Sequence, residues 1–314
     1  MNRSRSHLVS YHDGELAAQD LAGFRENADR MRPIIGDSLP RGVEGFLADL
    51  RFLVVGATSP DGQVWASLLF GEPGFLHVLD ARNLSIGARP SDADPLARVL
   101  QESALVGTLA IDLANRRRLR INGRMTPNRG GLRLSVDQAY GNCPKYIQRR
   151  SLQRTSPARA MRMVSEGSEL TAEQRQVIDT ADIFFIASTS AAGDADASHR
   201  GGNPGFVRSL SADRIQWPDY EGNTMLMTLG NLTANPAAGL VFIDWLLGTT
   251  VQLTGTATVD WSARTAAGSR AERTVAFRVT KVIQIDHSEN VQGWSAPQYS
   301  RFNPPVTPPI SDGP

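Results

Sequence analysis

Little in this 314-residue chain invites cross-linking by disulfide or metal. It has a single cysteine, Cys143, which excludes an intrachain disulfide framework and removes the thiolate cage of a structural metal site. Histidines are few, and His77 and His287 show no metal-ligand spacing with carboxylates or with Cys143, so no metal is expected. No apolar run approaches the roughly 20 residues needed to span a bilayer. Charge of one sign is missing too. Lys and Arg number 33 against 32 Asp and Glu, a net +1, so no global field argues for nucleic acid or for an acidic membrane surface. The basic start, Met1 to His7, lacks the apolar core of a signal peptide. These absences lead to the expectation of a cytoplasmic protein with no membrane and no nucleic-acid partner.

What remains is a globular composition, 41% apolar and 21% charged, with room for two domains that each bury a core. The most informative feature is an internal repeat. Ala66-Ser67-Leu68-Leu69-Phe70-Gly71-Glu72-Pro73-Gly74-Phe75 recurs as Ala197-Ser198-His199-Arg200-Gly201-Gly202-Asn203-Pro204-Gly205-Phe206, offset by 131 residues. A second pair, Gly107-Thr108-Leu109-Ala110-Ile111-Asp112 and Gly239-Leu240-Val241-Phe242-Ile243-Asp244, is offset by 132 and leads to Gly123 or Gly255 after the same interval. The chain therefore reads as two copies of one unit.

The pattern divides the chain into a helical segment over 1–50, a first repeat over 51–150, a helical connector over 151–180, a second repeat over 181–300 and a Pro-rich tail over 301–314. In the opening segment Val43, Phe46, Leu47 and Leu50 recur at helical spacing. Phe52 to Ala57 and Ile183 to Ala187 are continuous apolar strands followed by turn residues. Thr171-Ala172-Glu173-Gln174 has the spacing of a capping box opening a helix through Asp179. Short helices are expected at Leu96 to Gln101 and at Leu232 to Asn235, the latter stopped by Pro236. The prolines of the tail predict extended chain. Several short antiparallel strands and a small helix, given twice, predict a mainly β fold with helices (α+β), two small barrels in tandem.

The copies differ where chemistry would sit. His199, Arg200 and Gly201 replace Leu68, Leu69 and Phe70, and a guanidinium beside Ser198 and two glycines suits a phosphate. Gly222 to Asn231 places small polar residues at the mouth of a helix, where free N–H groups attract anions. Copy one has Asp92 and Asp94 there, which would repel phosphate. Arg118, Arg120 and Asn122 share one face of a strand, a pattern more often a solvated face than a site. Cys143 reads as a small buried residue before a reactive thiol.

The run S-H-R-G-G-N-P-G-F, then G-N-x-x-x-x-T-L-G-N, A-N-P-A-A-G-L-V-F and V-Q-L-T-G-T-A, resembles the pyridoxamine 5′-phosphate oxidase-like FMN-binding split-barrel superfamily, and within it the flavin-nucleotide-binding proteins. Gly141 to Gln148 is similar to that family's segment following a barrel. The resemblance implies two tandem split β-barrels of the FMN-binding type, with FMN held mainly by copy two. Ser198, His199, Arg200, Gly201 and Gly202 would lie along the phosphate and ribityl chain. Asn223, Thr228, Gly230 and Asn231 would close around the phosphate, and Gln252 would face the isoalloxazine. From copy one, Arg120, which stands at the position of Gln252, would form a wall with Trp65 and the Asn142–Lys145 segment. The catalytic residue is left unknown, with His199 as a candidate proton donor and Lys145 as a candidate cation beside the reduced ring. The family's paired basic residues after this strand are replaced by Leu229-Gly230-Asn231, which speaks against pyridoxamine phosphate as substrate.

The implied function is an FMN-dependent oxidoreductase transferring two electrons to an unknown small molecule, with NAD(P)H a candidate donor. The chain would be an internal pseudo-dimer able to pair further as a homodimer. Three rivals stay open: a non-enzymatic flavin-binding or storage protein, a haem-binding split barrel with His199 or His287 as axial ligand, and a structural tandem barrel without ligand.

Overall fold

The computed structural model describes residues 10–153, 161–262, 271–287, 291 and 293–306. Three short helices come first: α1 (Asp13–Ala22), α2 (Arg25–Met31) and α3 (Glu44–Ala48). The opening segment is thus broken into brief helices rather than one long one. The His12 ring accepts from the Gly14 N–H and the Glu15 carboxylate accepts from the His12 N–H, which fixes the start of α1.

Seven strands follow: β1 (Phe52–Thr58), β2 (Val64–Phe70), β3 (Leu76–Asp80), β4 (Asn83–Ile86), β5 (Ala104–Asp112), β6 (Arg117–Asn128) and β7 (Gly131–Gly141). They form an antiparallel sheet in the order β2-β1-β5-β6-β7-β4-β3. After β8 (Arg162–Gly167) and α4 (Ala172–Thr180), a second set comprises β9 (Ile183–Thr189), β10 (Ala195–Gly201), β11 (Arg208–Ser209), β12 (Arg214–Tyr220), β13 (Ala237–Asp244), β14 (Thr249–Asp260) and β15 (Ala271–Asp286). Its order is β10-β9-β13-β14-β15-β12-β11, with β8 added beside β15. Adding eight to each strand number of the first sheet gives the second. The fold is mainly antiparallel β with few helices, and its two sheets fit tandem split barrels.

The repeated residues turn out to be fold landmarks. In each G-x-P-G-F turn the second glycine has a positive φ, 94° at Gly74 and 88° at Gly205. The first glycine gives its open face to the phenylalanine ring: a Cβ on Gly71 or Gly202 would lie 2.3 or 2.5 Å from the ring of Phe75 or Phe206. Gly123 and Gly255 stand at matching bulges, where the β6–β7 and β14–β15 registers shift. The expected capping box is present on α4, from Thr171 to Gln174. Of the helix expected at Leu96 to Gln101, only a 3-10 turn at Val99–Gln101 forms, whereas its counterpart becomes α5 (Met227–Ala234).

The continuous apolar runs have a double use. Leu53, Val55 and Ala57 of β1 enter the first barrel's core, and Phe184 and Ile186 of β9 enter the second's. The alternate residues Phe52, Val54, Ile183, Phe185 and Ala187 fill a third cluster drawn from both barrels. Each large side chain buried in this seam contributes about 1.5–3 kcal/mol. Glycines let the barrels approach on a two-fold pattern: Gly107 of β5 meets the Asp196 backbone, and its counterpart Gly239 of β13 meets the Trp65 backbone. Gly56 and its counterpart Ala187 face each other. Trp65 is thus a core residue of this packing, 2% exposed, and not a wall of a ligand site.

From the proline-rich tail, residues 301–306 run back over the second barrel. There Asn303 donates to Gln148 Oε1 and Asn203 Oδ1, and Asn203 donates to the Pro304 carbonyl. Residues 307–314 and the basic Met1 to His7 lie outside the described residues. Among the described residues no helix is long and apolar enough to cross a membrane.

Candidate functional site

A cleft opens at one end of the seam. Copy two supplies one side, with Ser198, His199, Arg200 and Gly201 of β10 and the approach to α5 from Gly222 to Leu229. Copy one supplies the other, with Arg118 and Arg120 of β6 and the segment Asn142 to Tyr146. Gly201 allows this meeting, because a Cβ there would lie 2.1 Å from the Tyr146 carbonyl oxygen. Backbone strain gathers here. Among the described residues four non-glycines have positive φ, and three of them, Tyr146, Thr224 and Leu226, line the cleft.

The basic face of β6 is not solvated. Arg120, 6% exposed, crosses the seam to donate to Ser198 Oγ and, within its own barrel, to Tyr140 Oη at 2.5 Å. Its Nε is 3.1 Å from Asp196 Oδ1, an ion pair without the alignment of a hydrogen bond. Ser198 Oγ also lies 2.7 Å from Thr228 Oγ1, which ties β10 to the first turn of α5. Arg118 donates to the Cys143 carbonyl, and its Nη1 is 3.1 Å from His199 Nδ1.

That contact fixes the imidazole. A guanidinium can only donate, so Nδ1 accepts and the ring proton sits on Nε2. Burial, reinforced by Arg118 and Arg200, holds His199 well below the ordinary imidazole pKa, so the ring is neutral at physiological pH. His199 therefore offers a hydrogen bond from Nε2 rather than an imidazolium proton. Burial, with Arg120 and Arg200 adding to it, pushes Arg118 down to about 9, leaving it cationic at neutral pH. Arg200 is lowered by burial, with Asp219 opposing. It shares that carboxylate, 3.5 Å from Nη2, with Arg273. Lys145 lies at the rim, 3.8 Å from Glu221 and over the Phe302 ring.

Five buried polar atoms of cleft-lining side chains have no hydrogen-bond partner among the described residues: Arg118 Nε, His199 Nε2, Arg200 Nε, Asn142 Oδ1 and Arg120 Nε, of which only the last has an ion-pair partner, Asp196. Leaving a buried donor unmade costs about 1–3 kcal/mol. Three free donors in one cleft, two of them on guanidinium cations, can receive an anion that carries further acceptors. No group of three His, Cys, Asp or Glu side chains is arranged for a metal among the described residues.

The cleft thus brings together nine of the residues singled out from sequence: Ser198, His199, Arg200, Gly201, Asn223, Thr228, Arg120, Asn142 and Lys145. Four others lie elsewhere. Gly202 is covered by Phe206, as described above. Gly230 is a helix contact: its Cβ would fall 2.4 Å from Glu15 Cα on α1, so it serves the docking of α1 on α5. Asn231 is taken by His12, at 2.8 Å, and by Ser188. Gln252 faces the other side of the seam, donating to the Ala66 carbonyl and to Ser67 Oγ. His287 bonds Thr250 and lies against Phe70, away from the cleft. Arg118, which the strand pattern assigns to a solvated face, also lines the cleft; its place two residues from Arg120 is the sequence signal for it. Cys143 is half-buried, and its carbonyl, not its thiol, makes the contact with Arg118.

Residues 170–283, which hold α4 and most of the second sheet, match the sequence model of the family described as pyridoxamine 5′-phosphate oxidase. Several solved structures are similar. An FMN-binding protein from Syntrophomonas wolfei subsp. wolfei is 8% identical, covering 36% of this chain and 84% of its own, at a TM-score of 0.28. A FAD-binding protein from Mesorhizobium loti is 14% identical, covering 37% and 96%, at 0.24. A protein of the pyridoxinephosphate oxidase family from Clostridium acetobutylicum is 13% identical, covering 34% and 81%, at 0.25. No curated protein matches the chain. The likeness to the pyridoxamine 5′-phosphate oxidase family is thus a sequence match of the segment that carries β10, α5 and the strands around them.

Proposed function

We propose that the chain binds a flavin nucleotide, FMN, in the cleft between β6 and β10, and that it is an oxidoreductase acting on a small molecule with NAD(P)H as electron donor. The observation that carries this reading is the set of unpartnered buried donors, Arg118 Nε, His199 Nε2 and Arg200 Nε, in the barrel that matches a flavoenzyme family. A phosphate monoester carries about −1.5 to −2 charges at neutral pH, which Arg118 and Arg200 would balance. Ser198, Thr228 and the start of α5 would receive its oxygens. His199 would donate from Nε2 to a ligand acceptor, and Arg120 would hold Ser198 in place. Bound flavin supplies reversible two-electron chemistry, and the protein supplies position and electrostatics.

Oxidation of pyridoxamine phosphate is not the reaction proposed. The position of the family's paired basic residues is taken by Leu229, which is buried in the core, and by Gly230 against Glu15.

The test is a visible absorption spectrum of the purified protein before and after FMN is added and the excess removed. Retained flavin bands, followed by NADH or NADPH consumption in the presence of an acceptor, support the proposal. Retained bands without any such consumption favour a flavin carrier, a Soret band favours haem, and no chromophore after reconstitution refutes flavin binding.

A further inference from the structure

The two-fold that relates the barrels implies two equivalent positions, one at each end of the seam, and among the described residues the two are built differently. At the open end Arg120 reaches Ser198, and Thr228 completes the contact from α5. At the other end the counterpart of Arg120 is Gln252, which reaches Ser67, the counterpart of Ser198. The part played by Thr228 falls to Asp94, whose carboxylate accepts from Ser67 Oγ at 2.7 Å, from the Leu96 N–H at 2.8 Å and from Gln252 Nε2 at 3.4 Å.

The remaining substitutions all close this twin. Leu68 and Leu69 stand where His199 and Arg200 stand, and both are buried in apolar clusters. Phe70 replaces Gly201, and its ring centroid lies 5.2 Å from that of His287. His287 in turn bonds Thr250, the counterpart of Arg118. Cations and open backbone at one end are thus a carboxylate and large side chains at the other. Ser67, Asp94 and Gln252 bond one another there and His287 bonds Thr250, and among the described atoms of these four side chains Gln252 Oε1 and His287 Nδ1 are without a partner.

We propose that the chain takes one anionic ligand, in the Arg118–His199–Arg200 cleft, and that the pseudo-equivalent position is a structural joint closed to ligand. Both walls of the open cleft come from one chain, so a second copy is not required to complete it. The choice of FMN as probe rests on the flavin reading; the division between the two ends does not.

The test uses the full chain in two measurements. Titration with FMN, read by calorimetry and by absorbance of the retained flavin, is expected to saturate at one per chain, and saturation at two would overturn the proposal. Thermal unfolding of the ligand-free chain then compares Arg118→Leu with Gln252→Leu. Removing from a ligand site a buried cation that has no carboxylate partner among the described residues is expected to raise Tm by ~2–4 °C despite the loss of its bonds to the Cys143 carbonyl and His199 Nδ1, and removing a donor from a structural joint to lower it by at least as much. Equal shifts of the same sign would overturn the division. Should Gln252→Leu fail to fold, the milder Ser67→Ala gives the same reading. Should FMN not bind at all, the flavin reading fails, and opposite Tm shifts would still support a closed joint opposite an open site.

Discussion

Arg200→Ala isolates the ligand contribution of one side chain with little disturbance of the fold. In the free protein Arg200 makes one hydrogen bond, from Nη1 to the His199 carbonyl at 3.2 Å, and a 3.5 Å ion pair with Asp219. Asp219 keeps Arg273 at 3.3 Å after the substitution, so no buried carboxylate is stranded. Burial already disfavours the Arg200 charge, so its removal is expected to change the stability of the ligand-free chain by less than ~1 kcal/mol. Binding is another matter. A hydrogen bond to a charged group contributes about 1.5–3 kcal/mol, which corresponds to a loss of FMN affinity of roughly 10- to 150-fold. The assay is quenching of FMN fluorescence during titration with protein, run beside thermal unfolding of the same samples. Arg98→Ala, an exposed arginine of copy one, is the control and should bind like the unaltered chain. Equal losses for the two variants, or a loss at Arg200 explained by a matching fall in Tm, would refute the assignment of the anion to copy two.

Glu15 gives a pH signature. Burial pushes its carboxyl up to about 8, against an ordinary value of 4.5, with the His12 N–H bond and Arg120 opposing and Asp196 adding. Between these values the folded chain holds a proton that the unfolded chain has released, so stability falls as pH rises, by at most ~1.4 kcal/mol per unit. Glu15→Gln should flatten Tm between pH 5 and 8, and an unchanged slope would refute the shift. Gly107→Ala would set a Cβ 2.2 Å from the Asp196 Cα, a backbone atom that cannot rotate aside, and should destabilise by ~3 kcal/mol or more in denaturant unfolding. Gly45→Ala, in α3 with open space around it, should instead stabilise by roughly 0.5–1 kcal/mol.

The repeat was legible because turns and bulges impose local demands. A positive φ at Gly74 and Gly205, and the crowded bulges at Gly123 and Gly255, restrict residue choice wherever the unit recurs, so the copies stay recognisable. The capping box at Thr171 and the apolar runs of β1 and β9 belong to the same class of short-range signal. The difference between copies was legible too, since Leu68-Leu69-Phe70 and His199-Arg200-Gly201 differ in charge and bulk.

The sequence by itself determined the tandem antiparallel plan and the copy that carries cations suited to phosphate. Only the tertiary structure decided which residues share a cleft. Arg118 and Arg120 are about 80 residues from His199 and Ser198, and their strand alternation suits a wet face as well as a buried one. Gln252, Gly230 and Asn231 sit next to the right motifs and still face other neighbours. The reason is physical. Local chemistry fixes which way a side chain leaves its strand, whereas the partner across a seam depends on how two sheets dock. That docking is set by Gly56, Gly107 and Gly239, whose missing Cβ atoms carry no trace of what they will touch.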